Sequence, residues 1–89
     1  MEDGASLLER VIGVLRKSLG LSEDQRIDAE TKLLRAGLTL DSVALLEFVM
    51  ALEDAFHCEI EDDEIDPLRF GSVGVVAEFM HSKLAGAES

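Results

Sequence analysis

The sequence predicts an all-α fold, a small four-helix bundle with three longer helices, one short helix and a long first loop. Three observations carry that expectation. Apolar residues recur at spacings of three and four across 6–19, 41–56 and 73–80, as on one face of a helix. No segment shows the strict apolar–polar alternation of a half-buried strand. At 89 residues and 47% hydrophobic, the chain has the length and composition of one compact domain rather than of an acidic disordered tail. That domain is expected to span 1–89, with an ordered core over about 6–84 and short frayed termini.

Each element has its own signal. Ser6 and Glu9 have the spacing of a capping box, and Leu8, Val11, Ile12, Leu15 and Leu19 form the apolar stripe that follows. Gly20 is placed to stop that helix. The next twenty or so residues (21–40) are polar, with Leu33 and Leu34 as apolar anchors, a turn of helix expected over 30–35 and a tight turn at Gly37. The segment 41–56 lacks Gly and Pro and carries two stripes: Leu45, Phe48, Val49, Leu52 and Phe56 on one, Val43, Leu46 and Met50 on the other. One stripe suffices to join a bundle, so the first is read as core and the second as surplus apolar surface. Pro67 is expected to close any short helix in the acid-rich stretch before it. Ser72 can cap the last helix, whose inner side is Val73, Val76, Ala77 and Met80 with Phe79 beside them. Gly71 and Gly74 weaken its start.

The formal charge is −11, and its distribution is uneven. Residues 41–66 hold ten acids and no Lys or Arg, while the rest of the chain is nearly neutral. A nucleic-acid binder needs a basic stripe, which is absent, and the same repulsion opposes docking on anionic membranes. No apolar run approaches the roughly 20 residues of a membrane span, and the acidic start is not a secretory signal. The chain reads as a free-standing monomer. Its single cysteine, Cys58, cannot form an internal disulfide and fits a cytoplasmic setting.

Convergent catalytic groups are hard to assemble from this sequence. His57 lies fifteen residues after Ser42, roughly 22 Å along one helix, so the two are not a nucleophile–base pair. His81 reads as a solvated residue near a helix end. Cys58 with two histidines falls short of a structural zinc set. Counted from Asp62 or Asp63, the sixth residue is Pro67 or Leu68, where a calcium loop requires glycine. No catalytic residue and no metal ligand is expected.

Ser42 stands where the long loop meets a helix start. It has two readings. Either it is an N-cap, or it is an exposed attachment point at the positive end of the helix dipole, with the surplus stripe beginning one residue later.

Asp41-Ser42-Val43, the helix ending in Val49-Met50-Ala51-Leu52-Glu53-Asp54-Ala55-Phe56, then Glu59-Ile60 and 62–65, together resemble the acyl carrier protein family. That family has an Asp-Ser-Leu signature before an acidic second helix, and the likeness runs over about 7–84. The resemblance implies that Ser42 bears a covalent 4′-phosphopantetheine arm donated by coenzyme A, and that Asp41 belongs to the signature read by a phosphopantetheinyl transferase. It implies a carrier, not an enzyme, holding acyl groups as thioesters for fatty acid, polyketide or related lipid synthesis. Val43 replaces the usual leucine, and Gly37-Leu38-Thr39-Leu40 departs from the Gly-Ala pair more common in fatty-acid carriers, which points to a specialised carrier. Partners would be acyl-transferring and chain-elongating enzymes with basic patches, docking on Val43, Leu46, Glu47, Met50, Glu53 and Asp54. A peptidyl or aminoacyl carrier is the alternative within the class. Outside it stand an unmodified acidic helical adaptor and, third, a calcium-binding module.

Overall fold

The computed structural model describes residues 4–34, 38 and 40–87. Among these residues four α-helices and one 3₁₀ turn succeed one another: α1 Gly4–Leu19, α2 Ser42–Phe56, the 3₁₀ turn Asp62–Glu64, α3 Pro67–Phe70 and α4 Val73–Ala87. Helix α1 packs on both α2 and α4, and α3 packs on α4. The fold is the all-α bundle expected, with three long helices and a short one.

Helix α1 spans Gly4–Leu19, so Ser6, expected at its start, lies within it. Its buried line is Leu7, Val11 and Leu15, with Leu8, Ile12 and Leu19 half-buried at the edge. Gly20 ends it at φ +65°, and the Leu21 N–H donates to the Arg16 carbonyl at 2.9 Å. This is the left-handed C-terminal closure that glycine adopts without steric cost.

The first loop contains no helix in its described part, contrary to the expectation for 30–35. Extended backbone at Lys32 forms an isolated antiparallel bridge with Ser72. Three main-chain hydrogen bonds stitch this stretch to the start of α4: Leu33 N–H to Gly71 O, Val73 N–H to Thr31 O, and Gly74 N–H to Ala29 O, at 2.8–3.0 Å. A helical turn here would have used these groups internally. Leu33 is buried as expected and Leu34 half-buried, but Ile27 is a third anchor, hidden in the sequence between Arg26 and Asp28. The tight turn expected at Gly37 lies outside the described residues.

Pro67 does more than end what precedes it. Asp66 caps α3 by accepting the Arg69 N–H at 2.9 Å, and Pro67 occupies the first turn, where its missing N–H costs nothing. Ser72 caps α4 as expected, accepting the Val75 N–H at 3.4 Å. The core is completed by Phe48, Leu52 and Phe56 of α2, Phe70 of α3, and Val73, Val76 and Met80 of α4. Phe70 is its aromatic hub, edge-on to Phe48 with ring centres 6.4 Å apart and tilted against Phe79 at 5.8 Å.

One long-range ion pair ties the 3₁₀ turn to α4. Lys83 Nζ lies 3.0 Å from Glu64 Oε1 and 3.3 Å from Oε2, and Oε1 also accepts the Glu61 N–H at 2.8 Å. That backbone hydrogen bond first, and Lys83 after it, hold the Glu64 carboxyl below its ordinary pKa. A depressed folded-state pKa stabilises the fold above the unfolded value, and the contribution is lost as pH falls through the folded value. Glu64→Gln should therefore be less stable than the parent at neutral pH, with the two converging on acidification below the normal carboxylate range. Denaturant midpoints measured across that range test this, and a gap that persists unchanged into acid would refute it.

Gly74 admits the loop to within contact of α4, because a Cβ there would lie 2.9 Å from the Ala29 carbonyl oxygen. Around a Cβ at Gly13, in α1, there is nothing within 4 Å. Gly13→Ala should therefore stabilise by about 0.5–1 kcal/mol through helix propensity alone. Gly74→Ala should instead lose on the order of 1 kcal/mol net, as crowding outweighs the same gain. Equal shifts in unfolding free energy for the two variants would contradict the close approach.

Candidate functional site

Helix α2 starts where a carboxylate dictates. Asp41 is extended, at φ −82° and ψ 179°, and its side chain accepts the Ala44 N–H at 2.8 Å while its carbonyl accepts the Leu45 N–H at 2.9 Å. The cap is thus Asp41 and not Ser42. Ser42 is the first helical residue, it is exposed, and its hydroxyl takes no part in the cap. Of the two readings of this serine, the N-cap is excluded by position.

The first-turn N–H groups of Ser42 and Val43 have no acceptor within the helix. A phosphodiester on Ser42 Oγ would sit beside these donors at the positive end of α2, with Asp41 already engaged in its own hydrogen bond. The residues present therefore fit a phosphate-linked group at this position.

The second stripe on α2 faces solvent. Val43 is 66% exposed, Leu46 49% and Met50 63%, whereas Phe48, Val49, Leu52 and Phe56 are buried on the opposite side. Leu45, counted with the inner stripe, is half-buried. Glu47 and Asp54 are exposed and border the outer stripe in sequence. Glu53 behaves differently. Its Oε2 accepts the Ile60 N–H at 2.8 Å, so its carboxylate is held against the loop after α2.

Position alone in the sequence did not reveal two further features. Leu68, on α3, is 83% exposed, more than any apolar residue of α2. The Asp66-Pro67 pair, a cap followed by proline at the first helical position, was the signal that could have located its helix. His57 adopts the left-handed conformation at φ 55° and closes α2 through its N–H to Glu53 O. Nothing in the sequence marks it out for that role, which glycine usually fills.

His81 lines a groove of about 540 Å³ with Leu7, Leu8, Ala29, Gly74 and Ala77, a set that does not include Ser42. Among the described residues no three His, Cys, Asp or Glu side chains converge as metal ligands, and no helix is long and apolar enough to cross a membrane. Burial first, then Glu53 and Glu64, raise the pKa of the half-buried Cys58 thiol against the opposing pull of Lys83. A thiol so shifted is a poorer nucleophile at neutral pH.

Comparison with known proteins places this geometry in context. The family model of the phosphopantetheine attachment site matches residues 9–80. A chloroplastic acyl carrier protein of Brassica napus is 40% identical over 57 residues, which is 64% of this chain and 41% of that protein. A chloroplastic acyl carrier protein of Brassica campestris is 39% identical over the same shares. The chain thus spans less than half the length of these curated relatives. The solution structure of the holo acyl carrier protein of Nitrosomonas europaea superposes with a TM-score of 0.76 at 35% identity, covering 88% of this chain and 95% of that one.

The two faces of α2 should respond oppositely to substitution. Leu46→Gln and Met50→Gln should each change the unfolding free energy by less than about 0.5 kcal/mol. Leu52→Ala should cost about 2–5 kcal/mol. A loss above about 1.5 kcal/mol for either outer variant in chemical denaturation would show that the stripe is core.

Proposed function

The chain belongs to the acyl carrier protein family, carriers whose prosthetic group is covalently bound phosphopantetheine, and from that membership we propose that it carries acyl groups as thioesters on an arm attached to Ser42. The observation that carries this reading is the placement of Ser42, exposed at the first position of α2 with its hydroxyl free of the cap that Asp41 makes. A phosphopantetheinyl transferase, reading Asp41 as part of its signature, joins Ser42 Oγ to the pantetheine-side phosphorus of coenzyme A; the pyrophosphate bond breaks, adenosine 3′,5′-bisphosphate leaves, and the serine gives up its proton. The arm supplies the terminal thiol to which cargo is esterified, so the protein itself is a carrier and performs no catalysis.

Enzyme partners dock along Val43, Leu46 and Met50, with Glu47 and Asp54 steering their basic patches. Long-range attraction with a small apolar contact gives fast association and fast release, as a shuttle requires. Glu53 contributes negative potential, but its hydrogen bond to Ile60 makes it a structural residue first. The departures at Val43 and in the loop before it favour a specialised pathway of lipid or polyketide synthesis over general fatty acid synthesis. A high like charge opposes self-association, so the carrier works as a monomer. The single half-buried thiol suits a reducing compartment such as the cytoplasm.

Incubation with coenzyme A and a broad-specificity phosphopantetheinyl transferase should add one phosphopantetheine to the intact mass of the parent and none to Ser42→Ala. An unmodified parent, alongside a control carrier that the same transferase does modify, would sink the assignment.

A further inference from the structure

Between α2 and α4 the chain crosses the bundle as a segment with two firm ends and a loosely held middle. At one end Ile60 is buried and its N–H is bound by Glu53 of α2. At the other, Phe70 is fully buried against Phe48 and Phe79. The middle differs. Residues 61–63 are exposed and Ile65 is only half-buried. Its hydrogen bonds are mostly internal: Glu64 N–H to Glu61 O at 2.9 Å, Ile65 N–H to Asp62 O at 3.2 Å, and Glu61 N–H to Glu64 Oε1 at 2.8 Å. A turn this short, bonded only within itself, is held in shape by the bundle it rests on, and once detached it frays, so its amides report the opening.

Charge works against its closure. Six of the eight residues 59–66 are acidic and none is basic. Arg69 pairs locally with Asp66 at the edge of α3. Among the described residues, the ion pair that reaches this segment from another long element is Lys83 with Glu64. Lys83 is mostly buried and lies 5.5 Å from the centre of the Phe79 ring, so its position is fixed by α4.

We propose that the stretch 61–65 is a strap that lifts from the bundle as a unit while its ends stay anchored, at Ile60 on one side and at the Asp66 cap of α3 on the other, and that the Glu64–Lys83 pair is the latch that sets how often it lifts. Opening separates Glu64 from Lys83, relieves the crowding of like charges, and uncovers Ile65 and the neighbouring thiol of Cys58. The proposal stands independently of any group on Ser42, so the unmodified chain is the form in which to test it. In that form Cys58 is the one thiol of the protein.

The test combines amide exchange with thiol alkylation in the parent, Glu64→Gln, Lys83→Met and the double variant. In the parent, the Glu64 and Ile65 amides should exchange through an opening that is insensitive to low denaturant, while core amides such as those of Val11 and Leu15 follow global unfolding. Each single variant should accelerate Glu64 and Ile65 exchange by roughly three- to tenfold, the range for a partly buried ion pair, and the double variant should be no faster than the faster single. Cys58 alkylation discriminates further. Lys83 lowers the thiol pKa and Glu64 raises it, so direct electrostatics alone would slow alkylation in Lys83→Met and speed it in Glu64→Gln. Release of a latch speeds both. The proposal is overturned by opposite signs at Cys58, by unchanged exchange at Glu64 and Ile65, or by strap amides that share the full denaturant dependence of the core.

Discussion

One carboxylate sets the frame for the rest of the molecule. By accepting the Ala44 N–H, Asp41 fixes the residue at which α2 begins, and an N-cap of this kind contributes about 1 kcal/mol. With the start fixed, the 3.6-residue period decides which side chains face inward. Phe48, Val49, Leu52 and Phe56 enter the core, and Val43, Leu46 and Met50 are left outside. Ser42 falls at the one position of the helix that is both helical and in front of unfilled donors. A start displaced by a residue would turn the helix by about 100°, bringing part of the outer stripe toward the core.

The acid-rich third of the chain is not one uniform surface. Of its ten acids, five accept backbone N–H groups: Asp41 at α2, Glu53 at Ile60, Glu61 and Glu64 from each other across the 3₁₀ turn, and Asp66 at α3. Each is placed where a chain reversal or helix start leaves a donor without a partner. The others, Glu47 and Asp54 on α2 and Glu59, Asp62 and Asp63 after it, are exposed. A composition rich in Asp and Glu thus supplies the caps for a segment that turns several times in few residues, and the remainder supplies the field.

Periodicity made the long helices legible, since the inner residues of α2 and α4 were assigned by spacing alone and, but for the half-buried Leu45, are buried. The outer stripe of α2 was equally plain, because a helix with two apolar faces can bury only one in a bundle this thin. What escaped was whatever depended on distant residues. Helix α1 turns Leu7 inward ahead of Leu8 because α2 and α4 both press on it. The stretch at Lys32 is extended rather than helical because Gly71 and Val73 offer it partners from the far end of the chain. Glu53 and Asp54 are adjacent acids on one helix, and only the return of the chain at Ile60 separates their roles. Ser42 and Asp41 were legible as a pair, but which of them makes the cap was settled by backbone dihedrals that spacing does not encode.

The bridge between the first loop and the start of α4 joins residues about forty positions apart in the chain. Closing so large a loop carries an entropic cost that local helices avoid, and contacts of this separation form late in folding. During synthesis, α1 and α2 can leave the ribosome while the loop between them still lacks Gly71, Val73 and Gly74, the backbone groups that hold it. The approach to Ser42 therefore acquires its final shape only once the C-terminal helix has emerged, so a chain cut short before α4 would present the serine on an unanchored leash.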